Sequence, residues 1–177
     1  MCGIAGVVSL DGSPVPRLDA ALALLDRLIA HRGPDGHGAW SSSRRDIGLV
    51  HRRLAIIDLS AAAHQPMTAP GPTVVSYNGE IYNYLELREA LAPHWRFRSA
   101  SDTECTLAAY DRYGTECLDR LRGMFVFALW DEREQRRSEP AEPHRTETTA
   151  GVEHPPQQGE DQARQHEQHR EGAMVPA

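Results

Sequence analysis

A mixed α+β fold is predicted for this chain from three features. Short apolar runs of strand-like composition come in clusters, segments with apolar residues at helical spacing lie between them, and no internal repeat is visible. The 177 residues suffice for one ordinary domain with its own core and are too few for two large ones. Composition changes sharply at one point. Up to Asp131 apolar runs alternate with turn signals, whereas from Glu132 onward there is no Leu, Ile, Phe, Tyr or Trp.

In chain order, Gly3 to Leu10 reads as a buried strand ending at the Asp11-Gly12 turn. Leu18, Leu22, Leu25, Leu28 and Ile29 recur at helical spacing and predict an amphipathic helix from about Arg17 to Ala30. Arg32-Gly33-Pro34-Asp35-Gly36 is punctuated as a loop. Ile47 to Val50 and Leu54 to Leu59 read as short strands, and Ala61 to Pro72 as a loop. Val74 to Tyr77 reads as a strand that ends at Asn78-Gly79, followed by a helix from Leu85 to Leu91. Ser101-Asp102-Thr103-Glu104 has the form of a capping box opening a helix that runs to Tyr113. Phe125 to Trp130 reads as the last strand.

Bulk properties exclude several function classes. Nineteen basic side chains, all Arg, stand against 25 acidic ones for a net charge of −6, so nothing points to nucleic acid. The three cysteines, Cys2, Cys105 and Cys117, are an odd number without metal-site spacing. Free thiols and a cytoplasmic location are expected, with no disulfide framework and no metal. The first ten residues lack a basic start, and no apolar run approaches membrane-spanning length.

Three features carry chemistry. A free Cys is most often a small buried hydrophobe, but position changes the reading of Cys2. Methionine aminopeptidases remove Met1 before a small residue, and the new terminus then bears a thiol and an α-amine together. That amine, with a reference pKa of roughly 7.7–8.0, can take the thiol proton, so nucleophile and base share one residue. Asn78-Gly79-Glu80 is the second feature. On local sequence a hairpin turn is the stronger reading. The alternative is an oxyanion hole, in which the Asn side-chain amide and the Gly N–H supply the two donors a tetrahedral oxyanion needs. Arg53 and Asp102 form the third: a free amino acid carries a carboxylate suited to an Arg fork and an ammonium suited to a carboxylate. Taken singly, a structural role is the plainer reading of each. The scattered histidines His31, His51 and His64 read as structural, and those of the tail as solvated.

These signals occur in a familiar order. Met1-Cys2-Gly3-Ile4-Ala5-Gly6 resembles the start of class II glutamine amidotransferases, a branch of the N-terminal-nucleophile hydrolases. His31-Arg32-Gly33-Pro34-Asp35-Gly36 and His51-Arg52-Arg53-Leu54-Ala55-Ile56-Ile57-Asp58 resemble the asparagine synthetase branch of that family. So do Asn78-Gly79-Glu80-Ile81-Tyr82-Asn83, Ser101-Asp102-Thr103-Glu104 and Gly123-Met124-Phe125-Val126-Phe127-Ala128. The resemblance covers residues 1 to about 131. It implies a four-layer αββα sandwich, C-terminally truncated, with Cys2 as nucleophile and Asn78 and Gly79 as the oxyanion hole. It further implies that Arg53 binds the substrate carboxylate, that the backbone of Leu54, Ala55, Ile56 and Ile57 lines the pocket, and that Glu80 and Asp102 hold the α-ammonium. L-glutamine is the implied substrate, and no cofactor is implied in this chain. ATP and Mg belong to a synthetase domain normally carried on the same chain, whose pyrophosphate loop is not found in this sequence. An inactive or partner-binding fragment, and an amidotransferase for another acceptor, stay open.

Residues 132–177 are expected to be disordered, since they cannot bury enough apolar surface to offset ordering entropy. They are also expected to be a frameshifted reading from somewhere in 132–138 onward. Read from the second base of each codon, Ala141 to Ala150 can encode Arg-Asn-Arg-Ile-Gly-x-Lys-Pro-Leu-Leu, which resembles a segment that family members carry after the last strand. The nucleotide sequence decides this: early stop codons in the neighbouring frame leave a genuine extension.

Overall fold

Two antiparallel sheets stack face to face, with helices on both outer faces, in a computed structural model that describes residues 2–137. The first sheet comprises β1 (Gly3–Val8), β2 (Gly36–Ser41) and β3 (Ile47–Arg53) in the order β1-β3-β2. The second comprises β4 (Met67–Thr68), β5 (Thr73–Ile81) and β6 (Gly123–Asp131) in the order β4-β5-β6. Helix α1 (Leu18–Leu28) covers the first sheet, and α2 (Tyr84–Leu91) and α3 (Asp102–Tyr113) cover the second. The layers therefore run α, β, β, α.

The two-residue alternation of strands sorts side chains into these layers. On β3, Val50 packs under Leu18 and Leu22 of α1, and Arg52 reaches Asp26 of the same helix. Ile47 and Leu49 point the other way and meet Val74, Trp40 and Trp130 between the sheets. On β5, Val74 faces that interior, while Val75, Tyr77 and Ile81 face Leu87 and Leu91 of α2 and Leu107 of α3.

Several expectations are corrected. Leu54 to Leu59 is not a strand: the ladder continues to Arg53 and then stops. Ile56 is 73% exposed and Leu59 77% exposed, so the apolar run has no layer to pack into. The hairpin turn at Asn78-Gly79 is also overturned, because β5 runs straight through both and pairs with β6 in the register Asn78↔Val126 and Gly79↔Phe125. The sequence places a loop from Arg32 to Gly36 and no element after it, yet β2 starts at Gly36; two glycines and a lone Trp40 hide a strand that exists because β3 pairs with it. The capping box at α3 is half formed. The Ser101 hydroxyl accepts from Glu104 N at 3.4 Å, but the Glu104 carboxylate turns to Ser99 N at 2.7 Å and to Trp95 Nε1 at 3.2 Å instead of returning to the cap. Past the expected boundary at Asp131 the backbone continues as α4 (Glu132–Arg137), its start held by Arg133 on the Asp131 carboxylate. The remaining expectations for the tail lie outside the described residues.

Candidate active site

Cys2 sits at the start of β1, whose register pairs Gly3 with Arg52, so the cysteine lies beside the end of β3 and the loop that leaves it. The Leu54 N–H donates to Cys2 Sγ at 3.3 Å, and the sulfur lies 3.6 Å from Leu54 O. Arg32 Nε donates to the Cys2 carbonyl at 3.4 Å. The loop preceding β2 is drawn against the same place. A Cβ on Gly33 would stand 2.5 Å from the carbonyl carbons of Arg52 and Arg53, an approach only glycine permits. Asp35 then anchors the pocket loop by accepting from Ala55 N at 2.9 Å. Of the three thiols only Cys2 is placed for chemistry. Burial pushes Cys105 up to about 12 and Cys117 up to about 11, which keeps both protonated at neutral pH.

The segment 54–60 is held by side chains in place of a ladder. Arg53 Nη1 donates to Ser60 O at 2.9 Å and Nη2 to Asp58 O, which folds the segment over the buried guanidinium. Part of the Arg53 fork is thus committed to its own loop, and the remaining N–H groups stay available. Asp58 accepts from Ser60 N at 2.7 Å and from Ala100 N at 2.6 Å, tying the loop to the segment before α3. The Ser60 hydroxyl, and after it the Ala100 N–H, hold its carboxyl below the ordinary range.

Across the site, β5 supplies Asn78, Gly79 and Glu80, with Asn78 half-buried and the other two exposed. Asp102, buried at the first turn of α3, accepts on Oδ2 from Tyr77 Oη at 2.9 Å and from Ile81 N at 3.1 Å. Tyr77 is fixed along its backbone as well. Its N–H donates to Gln65 Oε1 at 2.6 Å, its carbonyl accepts from His51 Nε2 at 3.1 Å, and Gln65 Nε2 continues to Thr103 Oγ1 at 3.2 Å. Burial and the Asp102 charge hold the Tyr77 hydroxyl far above its ordinary range, and the Glu80 and Cys2 charges act on it in the same direction.

Sequence reasoning assigned no role to Arg32, Asp35 or Asp58, although all three lie in motifs singled out there. It missed Tyr77 and Gln65 altogether, because a tyrosine in a strand reads as packing.

His51 gives a pH-dependent element. It is fully buried, and donation from Nε2 to Tyr77 O leaves Nδ1 as a lone pair without a partner among the described residues. Burial pushes it down to about 4, whereas the unfolded chain takes up this proton near 6.5. The neutral form is favoured on folding, so stability is full above pH 6.5 and falls as pH drops toward 4. At about 1.36 kcal/mol per pH unit the loss approaches about 3 kcal/mol. Urea titrations at pH 7.5, 6.0 and 5.0 are expected to show this decline, and His51→Gln to flatten it; an equally steep decline in the variant assigns the loss elsewhere.

Among the described residues no group of three His, Cys, Asp or Glu side chains could hold a metal ion, and no helix is long and apolar enough to cross a membrane. A depression of about 790 Å³ beside α2 shares no residue with the Cys2 site, and its Arg88 stacks 4.1 Å over Phe97 as ordinary packing.

The fold is a four-layer α+β sandwich with Cys2 directly before its first strand. The same fold occurs in glutamine phosphoribosylpyrophosphate amidotransferase from B. subtilis, at a TM-score of 0.59 and 18% identity over 75% of this chain and 35% of that one. The description glutamine amidotransferase domain matches residues 1–138, and the chain belongs to that family. It is 45% identical over 145 residues to a putative asparagine synthetase (glutamine-hydrolyzing) of Mycobacterium tuberculosis, covering 74% of this chain and 22% of that protein. It is 41% identical over 131 residues to asparagine synthetase B (glutamine-hydrolyzing) of Escherichia coli, covering 74% and 23%. It is 42% identical over 145 residues to amidase chry2 of Gibberella zeae, covering 76% and 22%. The chain thus spans about a fifth of the length of these relatives.

Proposed function

We propose that this domain hydrolyses the side-chain amide of L-glutamine to glutamate and ammonia through a γ-glutamyl thioester on Cys2. The observation that carries the reading is the Cys2 sulfur just before β1, met by the Leu54 N–H at 3.3 Å where the chain leaves Arg53 at the end of β3. Once Met1 is removed, the α-amine accepts the thiol proton and the sulfur bonds to the amide carbon. Asn78 Nδ2 and Gly79 N–H receive the oxyanion. The C–N bond then breaks, and ammonia departs with the proton held by the α-amine. Water gives a proton to the α-amine and attacks the thioester carbon, the C–S bond breaks, the sulfur takes that proton back from the amine, and glutamate leaves. Arg53 takes the α-carboxylate with the N–H groups its loop does not use, the backbone of Leu54 to Ile57 lines the pocket, and Glu80 and Asp102 take the α-ammonium.

Thiol and amine suffice for this half-reaction, so no cofactor is needed in this chain. The likeness to proteins named asparagine synthetase supports delivery of the ammonia to ATP-dependent conversion of aspartate to asparagine. ATP and Mg would then bind a synthetase domain on the parent chain. The relative named an amidase supports a second acceptor class by the same ammonia-releasing chemistry. Ammonia release from glutamine by purified protein, recorded beside a melting curve, tests the reading: cooperative melting without ammonia release overturns it.

Asp102→Asn is expected to raise KM for glutamine about 10- to 150-fold with kcat nearly unchanged, since a charge-assisted hydrogen bond contributes roughly 1.5–3 kcal/mol to ground state and transition state alike. The amide oxygen can stay on Tyr77 and Ile81 while its NH2 replaces the negative oxygen. A normal KM at a normal melting temperature would make Asp102 a helix-start residue only.

A further inference from the structure

We infer that Tyr77 is a positioning residue that sets the recognition of the substrate α-ammonium by aiming the Asp102 carboxylate; this rests on the role proposed for Asp102 above. Both donors to the Asp102 carboxylate among the described residues, the Tyr77 hydroxyl at 2.9 Å and the Ile81 N–H at 3.1 Å, converge on Oδ2. Oδ1 takes no protein hydrogen bond among the described residues, and it is not sealed from solvent as an unpartnered buried atom. Two donors on one oxygen define the carboxylate plane, and hence where the second oxygen points. With one donor alone, the broad terminal torsion of an aspartate would leave that direction loose.

The tyrosine is built to hold its position. Its backbone N–H and carbonyl are taken by Gln65 and His51, from the loop before β4 and from β3. Its ring stacks on Phe125 at 6.4 Å between centroids. Burial first, and then the Asp102 charge, oppose ionisation of its hydroxyl, so it is a donor at neutral pH. One residue therefore links the strand that carries Asn78 and Gly79 to the helix that carries Asp102.

The test is the ratio of dissociation constants for glutarate and L-glutamate, measured by isothermal titration calorimetry. The two ligands differ by the α-ammonium alone. The wild-type protein is expected to prefer glutamate, Asp102→Asn to lose that preference, and Tyr77→Phe to reduce it about tenfold, the low end for a hydrogen bond to a charged group because Ile81 N–H remains. A structural role alone would weaken both ligands equally and leave the ratio unchanged. A wild-type ratio in a folded Tyr77→Phe protein overturns the inference. If Asp102→Asn also keeps the wild-type ratio, the role of Asp102 itself fails. Tyr77→Met, which fills the same apolar site without a donor, repeats the measurement if the Phe variant does not fold.

Discussion

Cys2→Ala is expected to reduce ammonia release from glutamine by roughly 10⁵- to 10⁶-fold, the scale seen when a covalent nucleophile is removed, which places it below detection in an ordinary assay. Among the described residues the sulfur hydrogen-bonds with the Leu54 peptide alone, and Cys2 is not a core residue, so the melting temperature should stay within a few degrees of the parent. Loss of activity with stability intact separates this position from Cys105 and Cys117. Both are buried at the second sheet's helical face, and their truncation acts through packing. The same mechanism makes a second demand on the terminus. If Met1 is retained, the base becomes an amide nitrogen and the site is silent. Intact-mass analysis beside the assay decides this: an active preparation that wholly keeps Met1, or an Ala variant that still releases ammonia free of contaminating glutaminase, removes Cys2 from the chemistry.

The parts of this architecture that were legible share one property, which is that local sequence sets them. Helix α3 announces itself through Ser101 before an apolar run, and Ser101 does cap it. α1 is legible from its leucine stripe, of which Leu18 and Leu22 are buried. Most of the failures involve partners distant in sequence. The apolar run after Arg53 looks like a strand, but its backbone is held by Asp35 from one side and its far end by Asp58 and Ala100 from the other, 42 residues apart in the second case. Asn78-Gly79 looks like a turn until β6 is laid beside it. Arg53 looks like a free fork, whereas part of it closes its own loop. The carboxylate of Asp102 looks like a helix-start charge, and no local pattern points to the Tyr77 hydroxyl. Motifs identified the elements that meet at the site. Which atom bonds which was set by the stacking of the sheets.

Asn78→Ala and Gly79→Ala are expected to abolish activity in two different ways, and the difference tests the oxyanion-hole reading. The Asn78 side chain makes no hydrogen bond to the described residues and is half-buried, so its removal should not change stability measurably. What it removes is one donor to a charge that exists only in the transition state. Loss of one such donor lowers kcat by roughly 10²- to 10³-fold, with KM nearly unchanged. Gly79 is different, because the backbone has φ +151° there, and an added Cβ would stand 2.3 Å from Met124 O and 2.4 Å from the Phe125 Cα. Strand β6 must shift or the residue must leave its conformation, and either response breaks the β5–β6 ladder beside the site. A destabilisation of roughly 2–4 kcal/mol is expected, together with loss of ammonia release. Thermal melts and glutamine kinetics on the two variants resolve the pair. A folded Asn78→Ala protein with parental kcat would remove the side-chain donor from the oxyanion hole. A Gly79→Ala protein with parental melting temperature and activity would show that β6 does not hold this backbone in place.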